Sequence, residues 1–254
     1  MRIIFFLAFL VTFFVNAQNN AIGNAEKLVF TASYNMSGVL NNIAEVTMET
    51  SEAKTSKATL LRLKCTASTY SKWDNFFKIR DLYESYVNPS NLTPYLYKRD
   101  VNEGSYYKGM KYTFDPKTNK VKSVQNKRNK PDENKDLTIH AGTKDIVSTI
   151  YSLRLIDFKN MAVGTKKTFT ILFDREEMKG QFTYLGKETI TTAIGKKECY
   201  KLAIGSNQPE VLKGTNSNFL WLTADANKIP VYGKFKIPVG NGELKIKSVA
   251  GLKN

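Results

Sequence analysis

The sequence predicts an all-β fold: an antiparallel β-barrel or closed sandwich of about a dozen strands with one short helix. Three observations carry this. Short segments of period-two alternation recur along nearly the whole chain, with Gly, Pro, Asn and Asp between them. The stretch from Phe219 to Ile237 reads as two strands joined by a polar turn. Phe219 and Trp221 take one face of the first strand and Leu220 and Leu222 the other, the pattern of a strand covered on both sides. In the second, Ile229, Val231, Phe235 and Ile237 share one face, and Pro230, Tyr232, Lys234 and Lys236 share the opposite one. Only Thr143 to Leu155 carries a clear helical period.

Taken in order, Met1 to Ala17 has the parts of a secretory signal peptide: Arg2, an apolar core from Ile3 to Val15, and Val15-Asn16-Ala17 before the expected cleavage. The apolar core is too short to span a bilayer. Gln18 follows instead of Cys, which disfavours a lipid anchor and predicts a soluble product, periplasmic or secreted, with no transmembrane segment in the mature chain. Residues 18–25 read as a flexible polar leader, and 26–254 as a single barrel-like domain. A polar seam at 126–136 would divide that domain into two pseudo-halves.

The first strand runs from Leu28 to Met36 and pairs, across Gly38 and Asn41-Asn42, with Ile43 to Glu49. Thr50 to Lys57 reads as a loop, and Ala58 to Ala67 as a strand with Leu61, Leu63 and Cys65 on one face. The aromatic stretch from Trp73 to Val87 fits helical and strand periods alike; one reading is a helical turn, Ser71 to Phe76, leading into a strand from Phe77 to Val87. Tyr95 to Val101, Ser105 to Asp115 and Lys120 to Gln125 follow as meandering strands, and Asn126 to Asp136 as a surface loop. The helix over Thr143 to Leu155 takes Thr143 as its cap and Ile146, Ile150 and Leu153 as its apolar face; it covers one open edge or end of the sheet. Lys166 to Phe173, Lys179 to Leu185, Glu188 to Ile194 and Glu198 to Ile204 are further strands, with turns at Gly186-Lys187 and Gly195-Lys196. Gln208 to Ser217 is a loop, and Gly240-Asn241-Gly242 turns into a last strand, Glu243 to Ala250.

The formal charge is +15. Without Arg2, 37 basic side chains face 23 acidic ones. The basic residues are mostly scattered lysines, the pattern of a solvated surface or of attraction to anionic envelope material. No helix-turn-helix, zinc finger or ribonucleoprotein motif supports a nucleic-acid partner. Cys65 and Cys199 stand 134 positions apart; in an exported protein, pairing and separate burial are both open.

No cofactor or metal is expected. A single histidine, His140, stands far from both cysteines and reads as a loop residue. Ser51-Glu52-Ala53-Lys54 matches S-x-x-K only in letters. Asp81 and Glu84 are a formal carboxylate pair of the kind glycoside hydrolysis needs, but almost any chain with 23 acids offers one. Asp225 reads as a turn residue. The residues left for ligand binding are aromatic: Trp73, Phe77, Tyr83, Tyr86 and Trp221, as cavity lining or as plain core.

Four segments carry a resemblance to a known family: Glu26 to Phe30, Asp81 to Val87, the helix Asp145 to Arg154, and Leu-Trp-Leu-Thr-x-Asp-x-x-x-Ile-Pro-Val from Leu220 to Val231. Together they resemble a family of exported bacterial envelope proteins known as domain of unknown function 3108. The resemblance implies a periplasmic, barrel-like fold and no reaction. The functional expectation is a non-enzymatic factor binding an envelope lipid or anionic glycolipid. The alternative is an assembly protein docking to an outer-membrane protein through a sheet edge, and a glycan-acting enzyme comes third.

Overall fold

The computed structural model describes residues 18–36, 38–208, 217–237 and 240–254. The predicted signal peptide and most of the loop Gln208 to Ser217 lie outside them. The strands are β1 Lys27–Met36, β2 Val39–Lys54, β3 Thr59–Thr69, β4 Arg80–Val87, β5 Pro94–Glu103, β6 Tyr106–Asp115, β7 Lys120–Lys127, β8 Glu133–Thr138, β9 Lys144–Asp145, β10 Lys166–Phe173, β11 Glu176–Thr192, β12 Gly195–Ser206, β13 Asn218–Thr223, β14 Pro230–Ile237 and β15 Gly240–Ala250. The helix α1 is Ile146–Ser152, prolonged by a 3₁₀ turn, Leu153–Leu155.

All fifteen strands belong to one sheet. β1 to β8 form one uninterrupted meander and β15 back to β10 another; antiparallel pairing of β1 with β15 joins the two. Only β9 pairs in parallel, with β10. Because residues opposite each other share a face, the register lays rows of side chains across strands. One such row is Thr50, Leu63, Ser85, Tyr97, Tyr112 and Ser123, all buried. It belongs to a first apolar core that also holds Leu28, Phe30 and Trp221. A second core gathers Phe182, Tyr184, Tyr200, Leu202 and Leu222 around Phe158, whose ring stacks on Tyr200 at 4.9 Å. β13 divides the two as its sequence predicts, with Phe219 and Trp221 packed in the first core and Leu220 and Leu222 in the second. Among the described residues no helix is long and apolar enough to cross a membrane.

Several expectations need correction. Residues 18–25 are not a free leader. Ala21 and Ile22 are buried, and the Asn19 carboxamide accepts the Ile22 amide at 2.9 Å while donating to the Ile22 and Pro89 carbonyls. Thr50 to Lys54 continues β2, because the polar residues alternate against Leu60 and Leu61 of β3. Most of the polar run Asn126 to Asp136 is likewise strand: it ends β7 and begins β8, whose polar side chains suit an edge with only one partner. Two predicted strands merge into β11. The register shifts between Tyr184 and Lys187, and Gly186 at φ +102° supplies the left-handed backbone of a bulge instead of a turn.

The helix starts later than expected. Thr143 donates its hydroxyl to Glu177, and the cap is Asp145, which accepts the Ser148 amide at 2.8 Å. Ile150 is exposed, whereas Ser148 and Thr149 are buried with their hydroxyls donating back to the Asp145 carbonyl. α1 packs against β3, β4 and β10 together, so it needs small polar residues on a face that an amphipathic reading leaves to water.

A buried ion pair locks this arrangement. Arg154, directly after α1, forms a two-pronged pair with Glu26 at 2.5 and 2.7 Å, and both side chains are essentially inaccessible. Its remaining donors reach the Asn227 carbonyl at 2.9 Å and the Ala21 carbonyl at 3.0 Å. Removing one charge leaves the other stranded in the core, so Arg154→Ala and Glu26→Ala are each expected to cost about 3–5 kcal/mol. Urea unfolding monitored by circular dichroism measures this; a loss below about 1 kcal/mol would show that the pair holds nothing together.

Candidate functional site

The five aromatic candidates do not line one cavity. Trp73 and Phe77 sit on the loop between β3 and β4, where Phe77 is about half exposed and Trp73 donates its indole N–H to the Asn42 carbonyl at 2.8 Å. Tyr83 packs against the first core. Tyr86, three residues along the same strand, faces the other way, beneath Lys98. Trp221 stacks on Tyr232 at 4.8 Å and donates to Glu188. The same alternation separates Asp81 from Glu84. Asp81 is buried and accepts the Asn102 amide at 2.9 Å, while Glu84 pairs with Arg62 on the opposite face, so the two cannot flank one bond. Cys65 and Cys199 are free thiols, and burial pushes both up to about 12. His140 is exposed with its ring against Glu177. Asp225 bends its turn by accepting from the Thr223 hydroxyl and from the amides of Asn227 and Lys228.

Two polar arrangements escape sequence reading because their members come from distant strands. The first is a latch. The β10–β11 turn projects Asp174 and Arg175 onto β5 to β8: Asp174 pairs with Arg99 and, at 2.8 Å, with Lys108. The Arg175 amide donates to the Tyr112 hydroxyl at 2.8 Å, and its side chain reaches Ser123 and Glu133. Both turn residues hold positive φ, 47° and 70°, which non-glycine residues rarely adopt; these contacts offset that strain. The Tyr97 hydroxyl and the Arg99 Nε, buried beside the latch, have no hydrogen-bond partner among the described residues.

The second is a cleft of about 740 Å³ formed by the β4–β5 and β6–β7 turns, the segment 139–144, the residues after α1 and the β13–β14 turn. Its walls are part apolar, with Phe114, Ile139, Leu155 and Ile156, and part basic, with Lys144, Lys167 and Lys228. Lys144 donates to the Leu92 carbonyl at 2.6 Å, and burial lowers its pKa to about 8 against the opposing pull of Asp145. Burial also lowers Lys228. His140 and Asp157 complete the ionisable groups of the rim.

Residues 29–247 match the family model described as protein of unknown function (DUF3108). The chain belongs to the DUF3108 family. No curated protein matches it in sequence. Among solved structures it is similar to a beta-barrel-like protein of the DUF1849 domain from Brucella abortus, with 8% identity and a TM-score of 0.57 over 91% of this chain and 98% of that one. That likeness agrees with the barrel-like sheet. A protein with a YmcC-like fold from Bacteroides fragilis aligns over 91% of this chain and 100% of its own at 7% identity and a TM-score of 0.37.

The four segments that resemble DUF3108 meet in space. Glu26, Arg154 and the turn holding Asn227 join three of them through the buried pair. The fourth joins through Ser85 of β4, whose hydroxyl donates to the Asp145 carboxylate at 2.6 Å. Burial raises the Asp145 pKa, opposed by the Ser85 and Ser148 hydrogen bonds. Two of these segments, Glu26 to Phe30 and Asp81 to Val87, bear no part of the cleft wall, and the other two reach it only through Ser152 and Lys228; what all four share is the seating of α1. Ser85→Ala and Asp145→Ala are each expected to cost about 1–3 kcal/mol, with the double variant losing clearly less than the sum. Denaturant unfolding of the four proteins closes the cycle; strict additivity would deny the contact.

Proposed function

We propose that this protein is an exported, non-enzymatic factor that acts in the periplasm after cleavage near Ala17 and holds the polar end of an anionic, amphipathic envelope molecule in the cleft beside α1. The observation carrying this reading is the cleft itself: its volume lies in the range of small-molecule sites, and apolar walls meet three lysines on one rim. The chain's basic charge favours the same class of ligand. The first core is a poorer place, because Tyr97, Tyr112 and Tyr151 fill it.

Docking of a partner strand is the second reading. β8 has one partner and an open edge, but exposed Glu133, Lys135 and Asp136 give it the charge that blunts strand addition.

Native mass spectrometry of the mature protein purified from its own envelope tests the first reading. A lipid or glycolipid adduct of one per chain is expected, and it should be lost in Lys144→Met/Lys228→Met. A clean apo mass that persists after incubation with lysophosphatidylglycerol would overturn it. The lysine chemistry adds a pH signature. Lys144 is charged below about 8 and neutral above it, so affinity for lysophosphatidylglycerol should fall as pH rises through that value, with the midpoint moved upward in the complex by the bound anion. In Lys144→Met this step should vanish, as read by calorimetry across the pH range, while uncharged ligands show no step in either protein.

A further inference from the structure

The loop between β3 and β4 suggests a different contact. Nine large apolar side chains are exposed among the described residues, and five of them, Val39, Leu40, Phe76, Phe77 and Tyr106, lie at one end of the sheet. They stand where β2, β4 and β6 begin and β1, β3 and β5 end. The loops there are tied together. Trp73 bonds the Asn42 carbonyl, and the Gly104 amide donates to the Lys78 carbonyl at 2.8 Å beside a bridge between Ile79 and Glu103. Phe76 is 83% exposed at the apex.

The loop is built to leave water. The amides of Phe76 and Phe77 both donate to the Trp73 carbonyl at 2.9 Å, and the Trp73 amide donates to Tyr70. Its one carboxylate, Asp74, is held by the Thr69 hydroxyl and Arg80, each at 2.6 Å, which lower its pKa. These bonds satisfy the Phe76 and Phe77 amides and the Asp74 carboxylate within the loop, so the two exposed rings can leave water without stranding those groups, while the exposed Asn75 carboxamide suits the hydrated headgroup level. Lys72 and Lys78 flank the aromatics and form no ion pair among the described residues, and Arg128 and Lys130 lie on the β7–β8 turn at the same end. Aromatic residues bordered by lysines match the interface of an anionic bilayer, with rings at the acyl boundary and ammonium groups at the phosphates.

We propose that the Trp73 to Phe77 knuckle inserts into an anionic lipid surface and anchors this end of the sheet to it. The proposal stands apart from the cleft, which opens between the turns at the other end of β4 to β7. The test is co-sedimentation of the mature protein with vesicles of phosphatidylethanolamine and phosphatidylglycerol, compared with phosphatidylcholine alone. Binding to the anionic vesicles is expected, weakened by about tenfold or more in Phe76→Ser/Phe77→Ser and unchanged in Val163→Ser, an exposed apolar residue elsewhere. Brominated lipid should quench Trp73 fluorescence in a Trp221→Phe background whose fold is checked by circular dichroism. Phe76→Ser/Phe77→Ser should keep the parent's affinity for monomeric lysophosphatidylglycerol, because neither residue lines the cleft, so the two readings fail separately. Absence of vesicle binding at low salt would overturn the proposal. So would binding that salt abolishes but the phenylalanine substitutions leave alone. Self-association lost with Phe76 and Phe77, without vesicle binding, would assign the patch to a second copy and overturn it equally.

Discussion

A guanidinium and a carboxylate withdrawn together from water, Arg154 with Glu26, hold the molecule at the place where its parts would otherwise come apart. Neither charge is tolerable alone in that position. Each therefore dictates the other's address: Arg154 must follow α1 at the right angle, and Glu26 must stand at the start of β1. The Ala21 and Asn227 carbonyls take the remaining donors, so the N-terminal segment and the β13–β14 turn are brought to the same point. The pair gives specificity of arrangement, because a hydrophobic replacement of the same volume would match its stability without requiring three distant segments to meet.

The sheet shows what local pattern does and does not encode. Alternation identified most strands of both meanders, β8 apart, since each pairs with its sequence neighbours and each face is set by a period of two. The two-sided burial of β13 was readable for the same reason. Where the reading failed, a longer-range partner had overruled composition. Polar β8 is strand because β7 offers it a ladder, the residues around Gly186 bulge because β12 continues past them, and Ser148 and Thr149 are buried because three strands surround a short helix.

The candidate site was legible only in its chemistry. Scattered lysines and apolar aromatics hinted at an amphipathic anion, but the lining of the cleft comes from turns far apart in sequence, and no spacing predicts their meeting. The aromatic residues first singled out are distributed by strand period to opposite faces and to a distant loop. Asp174 and Arg175 were invisible for a further reason: their signal is the left-handed backbone at a turn without glycine, and residue types alone do not reveal that.

The pairing of β1 with β15 has a kinetic meaning. Nearly every other ladder closes between neighbours in the chain and forms soon after its residues are released, but this one joins the first strand to the last. The Asn254 side chain donates to the Asn20 carbonyl and Lys253 reaches the Asn19 carbonyl, so the segment before β1 and the residues after β15 are tied at the same point. A chain delivered from its N-terminus thus carries an unfilled edge along β1 through almost the whole of its emergence. The middle of the sheet is the last part to become whole, and whatever shields that edge in the interval decides between a finished sheet and an aggregate.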